Sequence, residues 1–357
     1  MQSKSGNWRW WAATAALVIA VLAGFAWRWW SAKAFEWQLF AATFRSLDSR
    51  WLALAALMAW LTYVGRALRW RVLIRPVKAH PNLWNLFTGT AVGFTAIVLF
   101  GRPGEMVRPY LISLKERLSF SSQMAAWLVE RMYDLMMALL IFGVALSQVK
   151  TSGVQVGEGL RWVLAVGGYA AAAVALLCLV VFLALRQFGE ASEARIMAAA
   201  EVIPEQYRGM LARVLAAFTA GVRSTRDSSA VTLALAYSVL EWALIVSCYV
   251  CIFRASPSTA GFGWMDVLIF VGFVSFGNVV QIPGVGGGMQ IVAIAVLTEL
   301  FGMPMEIASG LAIVLWAITF VVIVPFGLAL AFHDGLNWSK LRQIRETASG
   351  SGSEPRA

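Results

Sequence analysis

One glycine- and proline-interrupted segment, Gly101–Arg108, combines charge with a broken helix and reads G-R-P-G-E-M-V-R. Its glycines, Gly104 among them, and its proline interrupt a helix and let the backbone approach a ligand closely. Arg102 and Arg108 lie beside N–H groups freed at a new helix start, and this combination suits a phosphate headgroup. Glu105 either holds one arginine in place or carries a proton. The alternative is a cytoplasmic turn whose arginines only anchor the topology.

A second set of ionisable residues lies inside the apolar run 121–146 and consists of Glu130, Arg131 and Asp134. Helical offsets of four and three place Asp134 on the face of Glu130 and Arg131. Ionisable side chains inside a span are costly, so they face the bundle interior. We expect these residues to complete a polar cavity with the first segment. The alternative is a structural ion pair near the cytoplasmic interface.

Three further ionisable residues lie in other apolar runs. Glu241 is deep within its run and has no basic neighbour in sequence, so it must find a partner in space or stay protonated. Arg66 and Arg69 lie near the end of their run and are interpreted as snorkelling anchors.

A second interrupted segment follows near the C-terminal end and carries only amide polarity. It offers hydrogen bonds but no countercharge, and the alternative is flexible or tightly packed backbone. Its candidate residues are Asn278, Gln281, Pro283, Gly284, Gly286, Gly287, Gly288 and Gln290.

The composition indicates a membrane protein. Apolar residues make up 60% of the chain and charged residues 13%, against about 45–50% and about 25% in soluble domains. The net charge of +10 comes from Lys and Arg in the gaps between apolar runs, which excludes a nucleic-acid-binding face. Three cysteines and two histidines do not assemble a convincing zinc site or disulfide framework, so we expect no metal and no cofactor. The sequence contains no Walker motif, so it encodes no ATP drive.

The apolar runs predict an all-α polytopic fold of about six full spans and two broken, re-entrant helical hairpins. The hairpins are 83–118 and 264–303, whose halves are marginal for crossing alone. Run 10–27 is interpreted as an uncleaved first helix rather than a signal peptide. The six spans are 10–27, 50–70, 121–146, 161–185, 229–253 and 306–332.

The basic residues predict the orientation. With both termini cytoplasmic and hairpin 83–118 dipping in from the cytoplasm, 21 of the 29 Lys and Arg are cytoplasmic and seven are outside. Hairpin 264–303 contains no Lys or Arg, so charge does not decide whether it dips from outside or crosses twice. We expect a multi-pass protein of the plasma (inner) membrane.

The predicted elements form two units of opposite orientation, 50–146 and 229–332. Inverted units whose broken segments meet near the midplane are typical of secondary transporters. We assign residues 1–338 to a single transmembrane domain. Within it, loop 186–228 is either a pair of amphipathic helices on the cytoplasmic leaflet or a solvated helical loop. Residues 339–357 are predicted to be a disordered cytoplasmic tail.

Four motifs resemble the flippase-like transmembrane family of lysylphosphatidylglycerol synthases. The resemblance implies a translocator that holds a phosphate-bearing lipid headgroup near the midplane, between opposed hairpins. It implies that Arg102 and Arg108 bind the phosphate. The motifs are G-R-P-G-E-x-V-R-P at Gly101–Pro109, E-R-x-x-D at Glu130–Asp134, R-x-x-R-W at Arg66–Trp70 and P-G-x-x-G at Pro283–Gly287.

The resemblance further implies that the neighbouring ionisable residues gate the cavity or couple it to protons. These are Glu105, Glu130, Arg131 and Asp134.

Two departures from the family pattern modify the expectation. The synthases carry a soluble aminoacyl-transferase domain after the membrane part, whereas this sequence ends 25 residues beyond its last predicted span, so we expect it not to make lysyl-lipids. Family members often have an Arg-Glu pair where this chain has Met289 and Gln290.

The expected function is therefore transport or binding of an anionic phospholipid or polyprenyl phosphate, without catalytic residues. Two alternatives stay open. One is a membrane enzyme acting on a lipid phosphate, with Glu105 as base. The other is a non-catalytic membrane partner of a soluble lipid- or envelope-modifying enzyme, which would dock on loop 186–228.

Overall fold

The structure, a computed structural model, describes residues 35–149, 228–277, 281–282 and 286–333. Several predicted features lie outside these ranges: spans 10–27 and 161–185, loop 186–228 except its last residue, tail 339–357, and the candidate residues Asn278, Pro283 and Gly284.

The described chain is helical, as predicted, with one antiparallel pair of two-residue strands. The helices are α1 (Trp37–Arg45), α2 (Ser49–Ile74), α3 (Leu83–Phe100), α4 (Val107–Glu116), α5 (Phe120–Val149), α6 (Ser228–Ala255), α7 (Trp264–Gly277), α8 (Gly288–Glu299), α9 (Met305–Thr319) and α10 (Val324–His333). The strands are β1 (Gln281–Ile282) and β2 (Gly286–Gly287), and 3₁₀ turns cover Arg102–Met106 and Val321–Ile323.

Several helices carry the length and the apolar surface that a bilayer requires. By length and composition, four segments of the described chain are able to cross a membrane: Ser49–Ile74, Leu83–Phe100, Ala230–Ala255 and Met305–His333. Large apolar side chains such as Leu140, Ile291 and Phe332 are exposed on the outside of the bundle. Such a surface is stable in lipid and unfavourable in water.

The first broken stretch folds back on itself. Helices α3 and α4 are joined by the 3₁₀ turn and pack against each other in antiparallel register. A Cβ atom added to Gly89 would lie 2.8 Å from Cγ1 of Ile112, and one added to Gly93 would lie 2.5 Å from Cβ of Arg108. A Cβ atom added to Gly104 would lie 2.4 Å from the backbone carbonyl of Ala96 in α3. Glycine at these positions therefore permits the close helix contact that closes the hairpin.

The second broken stretch also folds back, through α7 and α8. These helices have 14 and 12 residues, about 21 and 18 Å at ~1.5 Å per residue, which is less than the ~30 Å hydrocarbon core. The β1–β2 pair joins them, and a Cβ added to Gly277 would lie 2.6 Å from the carbonyl oxygen of Gly288. Gly287 has φ 133°, a conformation that favours glycine, and its N–H donates to Oε1 of Gln290 at 2.6 Å.

The last predicted span, 306–332, is not one regular helix. The structure divides it into α9 and α10, separated by the 3₁₀ turn Val321–Ile323. Pro325 has no N–H to donate, and in a continuous helix its ring would collide with the carbonyl four residues earlier. This explains the break. The prediction located the segment correctly and missed this interruption.

Helix packing relates the two predicted units. Helices α2 and α6 are antiparallel, since the N–H of Asp48 donates to the carbonyl of Ala255 at 2.9 Å while Arg69 contacts Glu241. The contact of α3 with α10 corresponds to that of α7 with α5, and the α4–α5 contact corresponds to that of α8 with α9. An inverted repeat requires this correspondence; the orientation of the units in the membrane stays a prediction.

A candidate anion site lined by arginines

Arg69 is the centre of a buried ionic network that joins three helices. Its Nη2 lies 2.7 Å from Oε1 of Glu130 and 3.2 Å from Oε2 of Glu241. Its Nη1 donates to Oδ1 of Asp134 at 2.7 Å and to Oγ of Ser238 at 3.1 Å. The Arg69 side chain is 0% exposed, so its interpretation as a snorkelling anchor is wrong.

Arg108 from the first hairpin joins the same network. Its Nη1 donates to both carboxylate oxygens of Glu130, at 3.0 and 2.8 Å. Its Nε donates to Oγ1 of Thr90 at 3.1 Å, and its Nη2 donates to the carbonyl of Arg66 at 3.1 Å. The guanidinium also lies 4.1 Å from the centre of the Trp70 ring, a cation–π contact. Glu130 is therefore shared between arginines of α2 and α4.

Arg66 and Glu241 form a second buried pair. Nη2 of Arg66 lies 2.7 Å from Oε1 of Glu241, and its guanidinium lies 4.6 Å from the centre of the Phe94 ring. Glu241 thus finds its partner in space, one of the two possibilities that the sequence left open. Because Arg66 points into the bundle and is 14% exposed, it is not an interface anchor either.

Two ion pairs lie nearer to solvent. Nη2 of Arg131 is 3.3 Å from Oδ2 of Asp134 along α5. Arg102 pairs with Glu105 within the 3₁₀ turn. Arg102 and Arg131 are 44% and 36% exposed, in contrast to the fully buried Glu130 behind them.

These residues surround an open cavity of about 340 Å³, called the large cavity below. Its charged lining consists of four arginines and two carboxylates, an excess of two positive charges; Arg69, Glu130 and Glu241 lie behind this wall. The charged residues are Arg66, Arg102, Arg108, Arg131, Glu105 and Asp134. The apolar and aromatic lining includes Phe94, Ile97, Trp127, Leu135, Ala138, Trp242, Ile245, Tyr249 and Phe320.

The second interrupted segment contributes less to this site. From the described part of the second hairpin, Val271 and Ser275 of α7 line the large cavity. Gln290 caps the start of α8 through Gly287, and Gln281 pairs with Gly287 in the two-residue ladder. The Gln290 side chain and the backbone of Gln281 therefore hold the described part of this turn together.

Most charged residues of the site were predicted from the sequence, but the contribution of Arg69 and Glu241, which lie behind the cavity lining, was not. Arg66, Arg69 and Glu241 belong to the network, although Arg66 and Arg69 were interpreted as anchors and the partner of Glu241 could not be named. A usable signal was the charge balance, because three carboxylates inside spans require cationic partners at the same depth. Thr90 and Ser238, which bond to these arginines, carried no signal in the sequence.

Comparison with known proteins agrees with the motifs. The family model for the lysylphosphatidylglycerol synthase TM region matches residues 7–327. The match includes both hairpins and all the described residues that line the large cavity. No curated protein and no solved structure matches this chain.

Proposed function

We propose that this chain, which belongs to the lysylphosphatidylglycerol synthase transmembrane family, binds a phosphate-bearing lipid headgroup in the large cavity and moves it across the membrane. The observation that carries the proposal is the convergence of four arginines, from α2, the 3₁₀ turn, α4 and α5, on one cavity. Guanidinium forks donate in pairs to phosphate oxygens, and such charge-assisted bonds are among the strongest available to a protein.

The remaining wall of the cavity fits a lipid better than a water-soluble phosphate. Phe94, Ile97, Leu135 and Ile245 provide an apolar side of the same cavity. A headgroup bound at the arginines would place its acyl chains against this side, as in other sites that combine a mostly apolar wall with a few polar groups. The cavity therefore has the two chemical characters of a phospholipid.

The burial of the charges separates permanent from exchangeable contacts. Glu130 and Arg69 are fully buried, and breaking their pairing would leave an uncompensated charge in a medium of low dielectric constant. Arg102 and Arg131 are partly exposed, and each pairs with a carboxylate three residues away. A phosphate oxygen that replaces one of these carboxylates keeps the arginine paired. Binding at Arg102 or Arg131 therefore costs less free energy than breaking the buried Arg69–Glu130 pair.

Reconstitution into liposomes tests the proposal. The protein is given labelled phosphatidylglycerol or polyprenyl phosphate, and movement of the headgroup between leaflets is measured. We expect movement that is lost in Arg131→Gln and retained in Arg75→Gln, a matched variant of an exposed arginine that does not line the large cavity. A variant of Arg131 that transports as fast as the parent protein contradicts the assignment.

The same assay separates the alternatives. Formation of a chemically changed lipid without movement would favour a membrane enzyme. Absence of both, together with a soluble protein that co-purifies only when loop 186–228 is present, would favour a docking role. We expect neither result, because the cavity combines fixed charge with an apolar wall.

A further inference from the structure

A second cavity of about 110 Å³, called the small cavity, adjoins the large one. It is roomy enough for several waters, since one water requires about 10–15 Å³ of such space. The two cavities share Arg66, Phe94, Ile245, Tyr249 and Phe320. The rest of the small cavity is lined by Ala59, Thr62, Tyr63, Cys248 and Thr319.

Helix α2 defines the direction in which the small cavity extends from the arginines. Thr62 precedes Arg66 on α2 by four residues, about 6 Å at ~1.5 Å per residue, towards the Asp48 end. On α6 both cavities reach Tyr249, so they do not differ in depth there. The small cavity therefore extends along α2 from the arginine-lined part of the large cavity towards the side predicted to face outside.

Arg66 lies at the boundary between the two cavities. It is the charged residue that both cavities share among the residues the structure describes. Its Nη2 holds Glu241, whereas its Nη1 is buried and has no hydrogen-bond acceptor in the described part of the chain. A buried donor without an acceptor is costly, so an anion that accepts a hydrogen bond from this Nη1 would be stabilised beside Arg66.

Three aromatic residues, Phe94, Tyr249 and Phe320, line both cavities. We call two of them the septum: Phe94, which lies against the Arg66 guanidinium, and Phe320. Phe320 caps the end of α9, where the last membrane segment is broken. The break is tied to α2 by a hydrogen bond from the Tyr63 hydroxyl to the carbonyl of Thr319, at 3.1 Å. A small rotation at a helix break beside the septum would open a passage between the cavities.

We propose that the small cavity is the outer half of the headgroup path. The phosphate group leaves the large cavity, keeps contact with Arg66, and enters the small cavity when Phe94 and Phe320 separate. This inference rests on the proposed function, and it names the route and the residue that contacts the ligand on both sides of the septum.

Filling the small cavity tests the route without changing the large one. Ala59 lines the small cavity and not the large cavity, so Ala59→Leu occupies space on the outer side only. We expect detergent-solubilised Ala59→Leu to bind labelled phosphatidylglycerol as the parent does. Its headgroup movement in liposomes is expected to fall about tenfold or more, equivalent to ~1.4 kcal/mol in the barrier.

Cys248 offers a native reporter of septum opening. A protein with Cys178→Ser and Cys251→Ser keeps this one thiol, which is buried in the structure. We expect a membrane-impermeant thiosulfonate added from outside to label it, faster when phosphatidylglycerol is present. Tyr63→Phe removes one hydrogen bond from the break and is expected to speed labelling about two- to tenfold.

The matched control keeps Cys251 instead, through Cys178→Ser and Cys248→Ser. Cys251 is buried one turn further along α6 and lines neither cavity, so it should stay unlabelled. Equal labelling of Cys248 and Cys251 overturns the proposed route through the small cavity. Absence of labelling at Cys248, both with Tyr63 and in Tyr63→Phe, overturns it as well.

The outcomes distinguish this inference from the function on which it rests. If headgroup movement depends on Arg131 but Ala59→Leu moves headgroups at the parent rate, the function stands and the route is wrong. If Ala59→Leu loses binding as well as movement, the separation of the two cavities is wrong. If the parent protein moves no headgroup, both proposals fall, whatever the labelling of Cys248.

Discussion

At the scale of single residues, Arg69 explains how three carboxylates coexist inside one membrane bundle. Its donors reach Glu130 and Asp134 from α5 and Glu241 from α6. A guanidinium distributes several N–H groups in a fixed plane, which a lysine ammonium does not, so one side chain satisfies several acceptors. Arg69, Glu130 and Glu241 lie behind the wall, so the cavity-facing arginines keep a positive excess over Glu105 and Asp134.

Replacing Arg69 should therefore destabilise the whole bundle. Arg69→Met leaves Glu130, Asp134 and Glu241 with fewer partners, and removing one member of a buried ion pair costs about 3–5 kcal/mol. We expect a clearly lower Tm in thermal unfolding of the detergent-solubilised protein. The control is Arg254→Met, because Arg254 is exposed and donates to a backbone carbonyl. An equal Tm for the two variants would contradict the central role of Arg69.

At the scale of elements, the first hairpin depends on glycines that face the partner helix. Gly89 and Gly93 lie one turn apart on α3, and each lies against a side chain of α4. This contact fixes the position of α4, and with it the depth at which Arg108 meets Glu130. The charge at the site and the packing of the hairpin are therefore determined together.

Gly93→Ala tests this coupling. The added methyl would lie 2.5 Å from Cβ of Arg108, so α4 must shift, and overpacking of this kind costs about 1–3 kcal/mol. We expect a lower Tm and weaker binding of labelled phosphatidylglycerol. Gly65→Ala is the matched control, because a Cβ there meets no atom within 4 Å and alanine favours a helix by roughly 0.5–1 kcal/mol over glycine. If Gly65→Ala is as damaging as Gly93→Ala, close contact is not the cause.

The base of the same hairpin is held by one carboxylate. Glu116, at the end of α4, accepts hydrogen bonds from Lys78 Nζ and Asn85 Nδ2 at 2.7 Å and from the N–H of Asn82 at 3.3 Å. Burial favours its neutral form, but these hydrogen bonds and the Lys78 charge outweigh burial and lower the pKa of Glu116 below its ordinary value. The contact joins the two ends of the hairpin outside the apolar core.

The lowered pKa of Glu116 predicts a loss of hairpin stability in acid. Because the folded-state pKa lies below the unfolded one, the carboxylate stabilises the fold above the unfolded pKa, about 4.3. This contribution disappears as the pH falls through the folded value. We expect amide hydrogen exchange at the α3 and α4 ends to accelerate in that range, and Glu116→Gln to remove the pH dependence. An unchanged pH profile in the variant would count against this contact.

At the scale of the whole molecule, the two units correspond in their packing and place one hairpin each beside the large cavity. The first hairpin supplies Arg102, Glu105 and Arg108, and the second supplies Val271 and Ser275. The two sides of the cavity therefore differ in charge although their architecture corresponds. This asymmetry suits a ligand with one anionic end and one apolar end.

The predicted opposite orientation of the units is open to direct measurement. Ala79 precedes the first hairpin and Ser258 precedes the second, and both are exposed. In a protein without its native cysteines, Ala79→Cys should react with an impermeant thiol reagent only from the cytoplasmic side. Ser258→Cys should react only from outside. Labelling of both positions from one side would contradict the inverted topology.

The sequence by itself determined the membrane class, the positions of the two breaks and the charged residues of the first hairpin. These follow from local properties, namely apolar length, glycine and proline chemistry, and helical spacing. Asp134 was placed beside Glu130 and Arg131 correctly, because offsets of four and three put it on the same side of the helix as each of them.

Only the tertiary structure decided which charges meet across helices. Arg69, Glu130 and Glu241 are 61 to 172 positions apart in the chain, yet they share one buried contact. No periodicity within one helix predicts which face of another it meets, because helix packing depends on the shapes of all the facing side chains. The small cavity and the pairing of Glu241 with Arg66 depend on that packing, so they became visible only in three dimensions.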